Sequence, residues 1–196
     1  MEETQTEIPT EPAPASEKGI SLGSFLIDLL ETLVLSVLLF VGINAVTARI
    51  RVDGFSMEPT LETGEFVVVN KLAYRLGEPA RGDIVVFRYP YDPQQEYIKR
   101  IIGLPGDTIE IANGIVSVNG QAIEEPYISA APAYQANLTV PEGSVFVLGD
   151  NRNNSSDSHN WGAVPLEYLV GKALVIYWPP TQWGLVPHAS TASAAP

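Results

Sequence analysis

The sequence predicts a mainly β domain, antiparallel and sheet- or barrel-like, preceded by one transmembrane α-helix. Three observations support this. A long apolar run lies near the N-terminus, short β-branched segments fill much of the remainder, and Asn-Gly pairs punctuate alternating apolar residues.

Taken in order, residues 1–19 are rich in Glu, Pro, Thr and Ala, with five Glu in the first seventeen positions. They hold too little apolar surface to offset chain entropy and are expected to be a disordered acidic tail. Residues 20–48 are the membrane candidate. Thr32 to Ala48 carries no charge, and Phe25-Leu26-Ile27 extends the run backward past Asp28 and Glu31. A spanning helix needs roughly 20 mainly apolar residues. The two acids suit its N-terminal end. The run is apolar on all faces, which a small domain rarely hides. Val46-Thr47-Ala48 offers small residues of the kind found at a signal-peptide cleavage site. The long acidic lead, with only Lys18 positive, argues against a cleavable signal. Arg49 and Arg51 follow the run, so charge alone would put the C-terminal side in the cytoplasm.

From 49 to 180 the pattern is strand-like. Glu65 to Val69, Asp83 to Phe87 and Tyr97 to Ile102 are β-branched runs. Ile109-Glu110-Ile111 and Ile115-Val116-Ser117-Val118 flank Asn113-Gly114, a strong hairpin signal. Asn119-Gly120 marks the next turn. Ser144 to Leu148 and Lys172 to Tyr177 complete the strands, and Lys71 to Leu76 is read as a short turn of helix. This is one β-rich domain. Residues 181–196 are Pro/Ala/Ser-rich and are expected to be a flexible tail. Within it, Ala189 to Ala194 has the look of a small-residue cleavage site.

Composition excludes several functions. The net charge is -12, from 11 basic and 23 acidic residues, with no Lys/Arg cluster for a nucleic acid. There are no cysteines, so disulfide and thiolate chemistry are out. Two histidines without matching carboxylate spacing give no metal site, and no cofactor is expected.

Chemistry concentrates in three segments. Ser56 sits in Gly54-Phe55-Ser56-Met57-Glu58-Pro59, where Gly54 allows unusual backbone angles and Pro59 prevents a strand. It reads either as an ordinary turn serine or as a nucleophile presented with its own N–H. Lys99 lies inside an apolar strand pattern, sharing a face with Tyr97 and Ile101. It is either a solvated strand lysine or a buried amine. Burial would lower its pKa and make it a general base for a serine hydroxyl. Gly149 to His159 follows an apolar strand and is dense in hydrogen-bonding groups, a plain polar loop or a positioning loop. A Ser-His-Asp triad through His159 and Asp157 finds no GxSxG turn to support it.

Together these segments resemble bacterial type I signal peptidases. A membrane helix precedes Ser56-Met57-Glu58-Pro59-Thr60-Leu61. Arg81 to Phe87 resembles the next box and Tyr97 to Asp107 the lysine box. Gly149 to Ser158 resembles the last, followed by Trp161-Gly162. The resemblance implies Ser56 as nucleophile and Lys99 as general base. It implies that Ser155 orients the amine, that Asp157 supports the loop, and that the Ser56 N–H serves the oxyanion. The implied substrate is a translocated preprotein, cut after small residues in an Ala-x-Ala pattern through an acyl-enzyme. The implied partners are the preprotein's signal peptide, the lipid bilayer and the translocation machinery. The implied topology has a cytoplasmic N-terminus and an extracytoplasmic domain at a cell or thylakoid membrane, opposite to the charge signal. Phe55, Met57 and Leu61 would meet lipid or form substrate pockets. Two positions depart from the family: Gly54 stands where some members carry a hydroxyl, and His159 stands where arginine is usual. Two other readings are a membrane-anchored β domain that only binds peptides, and a Ser-Lys autoprotease. The latter kind carries a DNA-binding domain where this chain has a membrane segment.

Overall fold

Helix α1 spans Leu22–Val46 and is long and apolar enough to cross a membrane. The computed structural model describes residues 22–189. The acidic tail 1–19 and the Ala/Ser-rich residues from 190 onward lie outside them. The chain divides into two compact units, 1–41 and 42–196. The first contains most of α1; its large apolar side chains are bare, as suits a helix surrounded by lipid.

In the second unit the helix gives way at once to strand β1, Thr47–Arg51. The helix therefore ends two residues before the predicted 48. Thr47 and Ile50 are β-branched, and this segment pairs antiparallel with β2, Phe66–Asn70. Next come α2 (Ala73–Leu76), β3 (Ile84–Tyr89), β4 (Asp92–Gly103), β5 (Thr108–Ala112), β6 (Ile115–Val118), β7 (Gln121–Ala122) and β8 (Ala136–Thr139). They are followed by β9 (Ser144–Leu148), α3 (Ser158–Trp161), β10 (Val164–Pro165), β11 (Leu169–Trp178) and β12 (Gly184–Leu185). The larger sheet runs β1-β2-β11-β3-β4-β9-β10, with β12 on β11; the smaller runs β7-β6-β5-β8. All pairings are antiparallel. The smaller sheet is an insertion between β4 and β9, which are neighbours in the larger one.

The insertion starts with a tight hairpin. Asn113 and Gly114 take φ of 53° and 79°, the paired positive angles that a two-residue turn between twisted strands requires. Alternation then sorts the apolar residues. Ile84 and Val86 of β3 join a core with Val67, Val69 and Ile98, while Val85 and Phe87 join another with Ile101, Val145 and Val147. A third core fills the insertion side with Ile102, Ile109, Val118 and Phe146. Strands β3 and β4 are thus buried on both faces, which is where Lys99 and Arg100 lie.

The expectation of a flexible tail from 181 is corrected over 181–189. Strand β12 pairs with β11, and Val186 is buried in the first core. The Val186 N–H donates to Leu174 O at 2.9 Å. His188 Nδ1 accepts the Ile84 N–H at 3.0 Å, and its Nε2–H donates to Ala173 O at 2.8 Å. Burial, with Lys172 nearby, pushes the His188 imidazole below its ordinary pKa, in keeping with this neutral form. One apolar side chain and a fully bonded ring suffice to hold a Pro-rich segment that no periodicity marks.

Candidate active site

The turn that carries Ser56 is anchored from beneath. Met57 and Leu61 are buried, and the Leu61 N–H donates to Met57 O at 3.0 Å. Neither is available to lipid or substrate, which corrects that expectation for both; only Phe55 stays half-exposed and lines the cleft. Gly54 takes φ 95° and its N–H donates to Thr63 Oγ1 at 3.1 Å, so the chain turns sharply just before Phe55. Ser56 is left at the rim of an open cleft of about 510 Å³, lined also by Ile50, Val86, Ile98 and Lys99.

Lys99 reaches this rim from β4, where it pairs across from Val85. Its side chain is 4% exposed, and Nζ lies 2.7 Å from Ser56 Oγ and 2.9 Å from the carbonyl of Ile98. Burial pushes the ammonium down to about 8, against Asp157 and Asp150, whose charges favour the protonated form. An amine that gives up its proton near neutrality, in contact with a serine hydroxyl, is equipped to take the hydroxyl proton. The spacing of Lys99 left two readings open; of these, the solvated one does not describe its surroundings.

The loop after β9 closes the back of the site. The Asn151 N–H donates to Ser56 O at 3.0 Å and the Asn151 amide to Phe55 O at 3.0 Å, tying the two loops together. Gly149 is packed so closely that a Cβ would collide with the Ser56 carbonyl and the Ser155 hydroxyl. Asp157 caps α3, accepting from the His159 N–H at 3.2 Å, and its other oxygen accepts from the Gly149 N–H at 2.9 Å. Ser155 belongs to this packing but departs from expectation. Its Oγ is buried without a hydrogen-bond partner, so the implied contact with the Lys99 amine is not formed.

His159 is the second departure. Its Nδ1 meets Asp157 Oδ1 at 2.6 Å, and its ring stacks on Tyr134 with centroids 3.7 Å apart. A pairing that two-residue strand spacing did not demand is made because the chain forms a helical turn here. His159 thus serves Asp157, while the Ser56 hydroxyl meets Lys99.

A buried ionic frame surrounds these groups, and most of it was not foreseen. Arg100 makes a two-point contact with Asp150 at 2.8 and 2.7 Å, both side chains fully buried. Arg100 also donates to Gly82 O at 3.0 Å and Pro187 O at 3.3 Å, and its guanidinium lies 4.0 Å over the Tyr127 ring. Arg152 pairs with Glu125 at 2.8 and 2.5 Å. The only sequence signal for the frame was the Asp and Arg content of the 149–159 loop. Among the described residues, no cluster of three or more His, Asp or Glu could hold a metal ion.

An antiparallel β domain that sets a buried amine against a serine hydroxyl, in an open cleft, brings together a hydroxyl and a basic group as hydrolases do. The comparisons narrow this. The family model described as signal peptidase, peptidase S26, matches residues 26–178. The chain is 46% identical over 168 residues to a probable signal peptidase I-2 of Synechocystis sp., covering 82% of this chain and 77% of that protein. It is 42% identical over 185 residues to a signal peptidase I of Leptolyngbya laminosa, covering 90% of each. It is 41% identical over 138 residues to thylakoidal processing peptidase 1, chloroplastic, of Arabidopsis thaliana, covering 65% of this chain and 41% of that protein. The chain belongs to the signal peptidase family, peptidase S26.

Proposed function

We propose that this chain is a membrane-bound serine endopeptidase that removes signal peptides from translocated preproteins, cutting after small residues in an Ala-x-Ala pattern. The 2.7 Å approach of Lys99 Nζ to Ser56 Oγ, at the rim of an open cleft in a member of this family, is the observation that carries the reading. The neutral Lys99 amine takes the hydroxyl proton as Ser56 Oγ attacks the carbonyl carbon. The Ser56 N–H faces the developing oxyanion. The proton then passes from Nζ to the leaving amine, and the mature protein departs. A water activated by Lys99 hydrolyses the ester, returning Ser56. Asp157 holds the loop behind the site through the Gly149 N–H; Ser155 packs beside Gly149, and its orienting role rests on the resemblance alone, because its hydroxyl makes no bond to the Lys99 amine.

Helix α1 anchors the domain in the bilayer, with the N-terminus cytoplasmic and the site on the side where preproteins emerge from the translocation machinery. The membrane is a plasma membrane or a thylakoid, both in keeping with the relatives above. The test is cleavage of a fluorogenic signal-peptide substrate by the full chain in detergent. Ser56→Ala should lose about 10³-fold or more in kcat/KM while binding the peptide with little change. Cleavage undiminished in Ser56→Ala would end this reading. Binding without cleavage by the folded wild type would favour a peptide-binding module.

A further inference from the structure

Asp157 is fully buried, and the group that meets its charge is unusual. Its carboxylate accepts from the Gly149 N–H, from the His159 N–H and from His159 Nδ1, at 2.9, 3.2 and 2.6 Å. A carboxylate only accepts, so Nδ1 carries a hydrogen and Nε2 is where the ring would gain its second proton. Stacking on Tyr134, with 9° between the planes, fixes the ring in place. The neighbouring acid, Asp150, is matched at 2.7 Å by Arg100, a permanent cation. Asp157 has an imidazole instead, which carries charge only when doubly protonated.

We propose that His159 is a positioning residue that sets, through Asp157, how firmly the Lys99 ammonium is held. The proposal rests on the reading of Lys99 as the general base. Asp157 is one of two carboxylates whose fields favour the protonated amine. A cation at position 159 cancels part of that field and lets Lys99 release its proton at lower pH; a neutral group leaves the field whole. The other charges nearby are already matched or silent. Arg100 is paired with Asp150, and Arg152 with Glu125. Tyr134 against the ring and Tyr127 between the two arginines are pushed by burial above the ordinary phenol range, so both stay neutral. Tyr97, 5.5 Å from Nζ, faces Lys99 with its ring. Position 159 is therefore the adjustable member of the set.

The test compares His159→Arg with His159→Gln in the full chain in detergent. The chain has four lysines, Lys18, Lys71, Lys99 and Lys172, so NMR of carbon-labelled lysine resolves each titration. Loss of one resonance in Lys99→Met assigns Lys99. The Lys99 titration should lie about half a pH unit lower in the arginine variant than in the glutamine variant. The acid limb of kcat/KM should move with it, while Lys71 stays in place. Lys99 titrations that coincide in the two variants overturn the proposal. A purely structural role would lower activity in the glutamine variant and restore it with arginine, leaving the limb unmoved. If the titrations separate but cleavage survives Lys99→Met, the coupling stands and the assignment of the base falls. His159→Lys replaces the arginine variant if the latter does not fold, read by the same Lys99 resonance.

Discussion

Lys99→Ala should lower kcat/KM for a signal-peptide substrate by about 10³-fold or more, with no histidine able to take over. Nζ is the basic group 2.7 Å from Ser56 Oγ, and His159 is engaged with Asp157 and Tyr134. In the wild type, kcat/KM should climb about tenfold per pH unit and then flatten. The bend should lie near 8, where the buried amine loses its proton. On the proposed mechanism the neutral amine is the active form, so activity rises with pH. Cleavage that survives Lys99→Ala, or a profile flat from pH 6 to 9, would remove Lys99 from its role.

The same burial has a stability consequence of opposite flavour. Unfolded Lys99 holds its proton up to its ordinary 10.5, whereas the folded form gives it up near 8. Below 8 the native state carries the whole penalty of a buried ammonium. Between 8 and 10.5 the unfolded state binds the extra proton, so stability climbs with pH across that window. Lys99→Met should therefore be more stable than wild type at pH 7, by about 3 kcal/mol at 1.36 kcal/mol per unit. The gap should close toward pH 10.5. Denaturant melts of both proteins at pH 7 and pH 10 check this; a gap that does not change with pH would refute it. Activity and stability pull apart at this residue, as expected where a group is buried for its chemistry.

Arg100→Ala should be the most destabilising single change at the site, costing about 3–5 kcal/mol. It leaves the Asp150 carboxylate buried without its two-point partner, and it releases the carbonyls of Gly82 and Pro187. The origin of the loss is separable. Arg100→Met combined with Asp150→Leu removes both charges and should recover a large part of it, because the penalty comes from the orphaned ion. Equal losses in the single and double variants would refute this and place the cost in Arg100's own contacts with Gly82, Pro187 and Tyr127. Denaturant midpoints in one detergent suffice for the comparison.

Much of this architecture was legible in the chain, and its gaps have physical causes. Strands such as Phe66–Asn70 and Ile84–Tyr89 announce themselves through β-branched residues, and Asn113-Gly114 through its turn chemistry. Thr47–Arg51 is hidden because it follows an apolar helix without a break. Gly184–Leu185 has only two residues, too few to show any period. Ser56 and Lys99 stood out because each is out of place, a hydroxyl in a constrained turn and a cation in an apolar strand. The partner of Arg100 did not, since Asp150 lies 50 positions away and only the fold brings them together. Ser155 was placed by resemblance, which carries a role across but not the side chain's geometry.

The strap formed by Val186, Pro187 and His188 has a bearing on how the enzyme comes into being. It seals the core beside β3 and β11, and its Pro187 carbonyl receives a hydrogen bond from the residue next to Lys99. The bonds to Arg100 and Ile84 span 87 and 104 positions, so they close only after nearly the whole domain has been made. Until residue 188 arrives, the Ile84 N–H lacks its acceptor and Arg100 one of its anchors. Ser56 is therefore made early, and the frame around Lys99 closes late. The strand that carries Lys99 is thereby completed last.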